Sequence, residues 1–206
     1  FFQAEDGIRD YYASRGLGDV YKRQTVLRYG VNADGSFELN KSMVWPMLRT
    51  IPNNTHASLM RRFAWNATDM VAVNGQSLSR EKVNKITLDG KMTVESAIGL
   101  SRNAKAELTR IIFPAVAKPA VYEKYILRNT GSSPLTVEVP ESRAVINTDP
   151  EKGVDGSYKL VSEIIGAATK QLQPKEELVF YAAITGYKNG EAALKPDVEK
   201  ELQVIR

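Results

Sequence analysis

From Thr25 onward the apolar residues of this chain tend to recur at every second position, and that period constrains the fold more than any other feature. Alternation at period two sends successive side chains to opposite faces of an extended strand. Leu27, Tyr29 and Val31 share one face, and Phe37 and Leu39 resume it after the turn residues Asn32, Ala33, Asp34 and Gly35. Ile86 and Leu88 alternate with Lys85 and Thr87, Asp89-Gly90 follows, and Met92 and Val94 then alternate with Lys91 and Thr93. This pattern predicts a hairpin with a type I′ turn, whose two central residues both take positive φ. Residues 107–113 (stopped by Pro114), 121–128, 135–139, 159–165 and 178–185 predict further strands. The last of these is apolar on both faces, as a covered central strand is. No long stretch carries the helical period, although residues 79–84 suit one helical turn and residues 197–204 the start of a helix. So many half-apolar strands bury their faces most economically by packing sheet on sheet. The expected fold class is all-β, a two-sheet antiparallel supersandwich incomplete at its ends.

The first 24 residues do not share the pattern. Residues 1–10 (FFQAEDGIRD) and 14–24 (SRGLGDVYKRQ) resemble the two ends of a translated sequencing-library adapter, and Tyr11, Tyr12 and Ala13 fill an index-sized gap between them. A signal peptide does not fit, because Glu5, Asp6, Arg9 and Asp10 interrupt any apolar core. The expectation is a non-native leader over 1–24, outside the fold, and one β-sandwich domain over 25–206 belonging to a longer protein. The leader's four basic and four acidic residues cancel, so the net charge of +4 belongs to residues 25–206.

Composition excludes several chemistries. There is no cysteine, hence no disulfide, thiolate metal site or cysteine nucleophile. One histidine, His56, leaves no multi-histidine metal site, and no metal or other cofactor is expected. No apolar run approaches the roughly 18 residues of a membrane helix, so no membrane partner is expected. Lysines and arginines are scattered, with Arg61-Arg62 the one basic pair in 25–206, whereas a phosphate-binding face needs a denser patch. Nucleic acid is therefore not an expected partner. No serine elbow, P-loop or dinucleotide fingerprint occurs. Glu141, Asp149, Glu151, Asp155, Glu163, Glu176 and Glu177 read as solvated charges rather than a glycosidase acid pair, and no catalytic residue is assigned.

The most irregular stretch runs from Met43 to Ala57 (MVWPMLRTIPNNTHA). Pro46 removes a ladder donor and belongs at an edge or bulge, and Pro52, Asn53 and Asn54 mark a turn. Trp45, Arg49, Asn54 and His56 gather there. A planar aromatic with amide and guanidinium donors suits sugar faces and hydroxyls. The same residues also read as a core tryptophan, a structural arginine and turn-forming asparagines.

Residues 25–206 as a whole resemble the N-terminal β-sandwich (supersandwich) region of bacterial six-hairpin glycoside hydrolases. The segments that carry the resemblance are VWPMLRTIPNNTHASL and RIIFPAVAKPAVYEKYILRNTGSSPLTVEV, the second a strand, an Asn-Thr-Gly turn and a returning strand. The resemblance implies a non-catalytic domain that packs on an (α/α)6 catalytic barrel lying outside this chain. It implies an oligo- or polysaccharide as the partner molecule and a periplasmic or extracellular setting. It also implies that the sandwich lends a loop to the sugar cleft: Trp45 as a stacking face, Arg49 and Asn54 as hydroxyl contacts, His56 as an orienting or donating group. The alternative is a stand-alone carbohydrate-binding or adhesin-like sandwich.

Overall fold

Where the sequence alternates, the chain forms strands, and every strand pair is antiparallel. The computed structural model describes residues 4–5, 8–13, 24–52, 57–116 and 118–205. In chain order the strands are β1 (Ala4–Glu5), β2 (Ile8–Ala13), β3 (Gln24–Val31), β4 (Phe37–Arg49), β5 (Ser58–Phe63), β6 (Ala72–Val73), β7 (Gln76–Ser77) and β8 (Lys82–Leu88). They continue with β9 (Met92–Gly99), β10 (Lys105–Pro114), β11 (Ala120–Asn129), β12 (Leu135–Val139), β13 (Ser142–Asn147), β14 (Tyr158–Ile165), β15 (Ala168–Leu172) and β16 (Glu177–Lys188). A short helix, α1 (Val198–Gln203), follows, with Asp197 capping its N-terminus through a bond from Lys200 N–H at 3.3 Å.

The largest sheet has seven strands in the order β13-β14-β16-β11-β10-β9-β8. The apolar run expected to be a covered strand is β16, which lies inside this sheet between β14 and β11. Strands β1 to β5 form a second sheet in chain order, with Ile8 opposite Gly30 and Ala13 opposite Thr25 at the β2–β3 pairing. A third, small sheet has the order β15-β12-β6-β7.

Period two decides how these sheets stack. Ala106, Leu108, Arg110 and Ile112 of β10 lie on one face with Val121, Glu123, Tyr125 and Leu127 of β11. One end of that face packs on the small sheet, where Leu108, Tyr125, Leu127 and Phe180 meet Val73, Leu135, Val137 and Leu172. The other end packs on the five-stranded sheet, where Ile112, Val121, Leu160 and Ile184 meet Leu27, Leu39, Met43 and Trp45. The molecule is therefore an all-β sandwich of two layers, one of them divided into two sheets side by side. The opposite face of the large sheet carries α1, whose Val198 and Leu202 pack on Phe113, Tyr122 and Ala183.

Two local details refine the sequence reading. The β8–β9 hairpin forms, but Leu88 pairs with Met92, so its loop is three residues with only Gly90 in the left-handed region (φ 62°). A three-residue loop needs one residue of positive φ instead of two, and the glycine supplies it. Pro46 sits where the β4–β5 register shifts between Trp45 and Arg49, the bulge its missing N–H demands.

Candidate functional site

The β4 strand carries the expected sugar-binding stretch to one end of the sandwich. Trp45 is fully buried, and its indole N–H donates to Pro119 O at 3.1 Å. The ring stands edge-on to Phe63, with centroids 6.2 Å apart, and lies against Gly186, where a Cβ would come within 2.6 Å of it. The stacking face expected of Trp45 is thus spent on the core, because an alternating strand places position 45 inward with Met43 and Lys41.

Arg49 lies at the end of β4 and is half-buried. Its Nε donates to Ala57 O at 3.3 Å. Its carbonyl accepts two bonds, from the Tyr158 hydroxyl at 2.5 Å and from Val154 N–H at 3.0 Å. Thr50 then bridges to Gly153, and Ile51 N–H donates to Lys152 O at 2.9 Å. Asn54 and His56 lie outside the described residues.

The partner of this loop is the stretch 147–157, which sequence alone marks as an exposed excursion. Most of it is exposed, residues 147, 149–152, 154 and 155 included, while Gly153 within it is buried. Asp149 accepts from Glu151 N–H at 3.0 Å and starts a short 3-10 turn, Pro150–Lys152. Gly153 is buried so tightly that a Cβ there would meet Gly156 O at 1.9 Å. The two irregular segments therefore brace each other, with Tyr158 as the pin. Ile51 and Val154 remain exposed on the braced pair, at 55% and 42%.

The acidic residues named from sequence are dispersed. Asp155 pairs with Lys188 at 2.8 Å and Glu163 with Arg143 at 3.6 Å, while Glu176 accepts from Gln173 N–H. Among the described residues, no group of three or more His, Cys, Asp or Glu side chains is placed to hold a metal. No helix among them is long and apolar enough to cross a membrane.

Sequence reading missed the charge cluster that the fold does build. Lys41 of β4 reaches Glu123 of β11, with Nζ 2.6 Å from Oε1. The Tyr125 hydroxyl donates to the other oxygen of Glu123. Arg110 of β10 meets Glu81 at 2.5 Å, and its guanidinium lies over the rings of Phe37 and Tyr125. Lys41, Glu81, Arg110, Glu123 and Tyr125 are each no more than 2% exposed. They occupy the line where the two smaller sheets meet above the large one. The signal was present in the sequence, because period two already puts Lys41 in register with Leu39 and Met43, and Glu123 with Val121 and Tyr125.

Electrostatics at this junction follow from burial and pairing. Burial alone raises the Glu123 carboxyl, but Lys41 and Arg110 outweigh it and hold the group below its ordinary value. Burial lowers the Lys41 ammonium more than Glu123 restores it. Burial, then the charge of Glu123, pushes Tyr125 well above 10. A glycosidase pair needs a reachable protonated acid facing a reachable carboxylate. Glu81 and Glu123 are ion-paired and closed to substrate. No protein-family model, curated protein or solved structure matches this chain.

Proposed function

We propose that this chain is the non-catalytic N-terminal sandwich domain of a bacterial carbohydrate-active hydrolase, packing on an (α/α)6 catalytic domain and lending it the loop after β4. One observation supports this reading above the others: the Arg49 loop is braced against residues 149–156 by the Tyr158 hydroxyl and the Thr50–Gly153 bridge. A loop fixed on a rigid scaffold is a good place from which to contact a ligand held by another domain. In this reading Arg49 keeps its role as a hydroxyl contact, while Trp45 positions the strand that presents it. The exposed Ile51 and Val154 beside it offer apolar area to the neighbouring domain.

The test has two arms. Sequencing the gene beyond codon 206 is expected to reveal a helical domain with two acidic residues across a cleft; a following region without helical character overturns the proposal. The purified 206-residue chain is expected to hydrolyse no glycoside. If the chain alone binds oligosaccharides in calorimetric titration, and Arg49→Ala abolishes that binding, the stand-alone carbohydrate-binding module replaces this reading.

A further inference from the structure

The ionic junction contains three buried polar atoms without a protein partner: Glu81 Oε2, Ser96 Oγ and Arg110 Nε. Their residues are 1%, 1% and 2% exposed. Strand register brings them together. Ser96 of β9 pairs with Val83 of β8 on one side and with Leu108 of β10 on the other. Glu81 lies two residues before Val83, and Arg110 two residues after Leu108. Residues two apart along a strand share a face, so Arg110 lies on the inner face with Leu108 and Ser96; Glu81 precedes β8 and joins that face through its ion pair with Arg110. The Glu81–Arg110 ion pair spans from the β8 side to β10, and Ser96 stands on the strand between them.

We infer that Glu81, Ser96 and Arg110 form a binding site for a single internal water molecule at the junction of the three sheets. The donor set selects the occupant. Arg110 Nε only donates, Glu81 Oε2 only accepts, and a serine hydroxyl does either. An occupant must therefore accept from one side and donate to the other, as water does. An anion is repelled by Glu81 and a cation by Arg110. Buried waters make about three such bonds to groups that otherwise lack partners. Leaving those groups dry is costly, because a buried donor or acceptor without a partner loses its hydration and gains nothing. Bound here, the water completes the polar layer under the line where the two smaller sheets adjoin.

The deciding experiment is a high-resolution crystal structure of the full chain, paired with oxygen-17 relaxation dispersion on the same protein and on Ser96→Ala. The expected result is one ordered solvent peak within hydrogen-bond distance of all three atoms. The long-lived water signal is expected to fall by one molecule, or to shorten its residence time, in Ser96→Ala. Direct bonding of Ser96 Oγ to Glu81 Oε2 with no solvent peak overturns the inference. So does an anomalous halide signal at the site after a bromide soak. If Ser96→Ala fails to fold, the density of the unmodified chain still decides the matter.

Discussion

Lys41 Nζ lies 2.6 Å from Glu123 Oε1 across the space between the two layers, and neither side chain reaches solvent. Removing one partner of such a pair strands a buried charge, which typically costs about 3–5 kcal/mol. Lys41→Met is expected to lower unfolding free energy by that order in urea titration. Lys41→Met combined with Glu123→Gln removes both charges and leaves Tyr125 an acceptor, and is expected to recover most of the loss. A double variant as unstable as the single one would show that charge pairing is not the source.

Stability is expected to fall at both ends of the pH scale. At the acid end, Glu123 is held below 4.5, so its contribution is present above that value and is lost as pH falls through its lowered one. At the alkaline end, burial and then the bond to Glu199 raise Tyr181 to about 12. Unfolded tyrosine ionises near 10, so the folded form loses this advantage as pH climbs from 10 toward 12. Lys41, lowered from 10.5 by burial, acts in the opposite sense as pH rises toward that value. Tyr125, pushed up by burial, acts in the same sense as Tyr181. Tyr181→Phe therefore isolates the Tyr181 share: guanidinium unfolding between pH 8 and 11.5 is expected to show a shallower alkaline decline in the variant, and the acid limb is expected to lose the part that the Tyr181 bond gives by lowering Glu199.

A Cβ at Gly186 would stand 2.6 Å from Trp45 Cε2, closer than real contacts allow. Gly186→Ala forces the indole to move within a close-packed core, and overpacking of this kind costs about 1–3 kcal/mol. The expected outcome is a lower melting temperature with a shifted tryptophan emission. Unchanged values for both would mean that the β16–β4 contact is looser than this distance implies.

Tyr158 joins two loops through one hydroxyl, which donates to Arg49 O and accepts from Asp155 N–H at 3.2 Å. Tyr158→Phe keeps the ring and removes both bonds. Global stability is expected to drop by about 1 kcal/mol. Hydrogen exchange at Thr50 and Ile51 is expected to accelerate more than exchange in β10 or β11. Uniform acceleration along the chain would argue that the hydroxyl does not act locally.

Long alternating strands announced themselves, and residues 135–139 match β12 residue for residue. The covered run at 178–185 became an inner strand of the large sheet, and residues 197–204 enclose α1. What stayed hidden was the division of one layer into two sheets. Strands β6 and β7 are two residues each, too short to show any period, and β15 is mostly exposed polar residues. The expected site was only partly legible. Irregularity around Pro46 was real and took the form of the bulge that a missing N–H demands, while Trp45 beside it turned inward. Glu81, Arg110, Glu123 and Lys41 escaped notice because a charged residue in an alternating strand looks like an outward one until its neighbours' parity is counted.

The two sheets that share a layer are separate hydrogen-bonded units, and each packs on its own part of the seven-stranded sheet. A slip or insertion in one sheet is therefore not passed along a backbone ladder into the other. Each half is free to change length or loop content so long as its footing on the common seven-stranded floor is kept. Such a plan favours drift at the margins and conservatism along the central line, where an altered charge is felt by both halves at once.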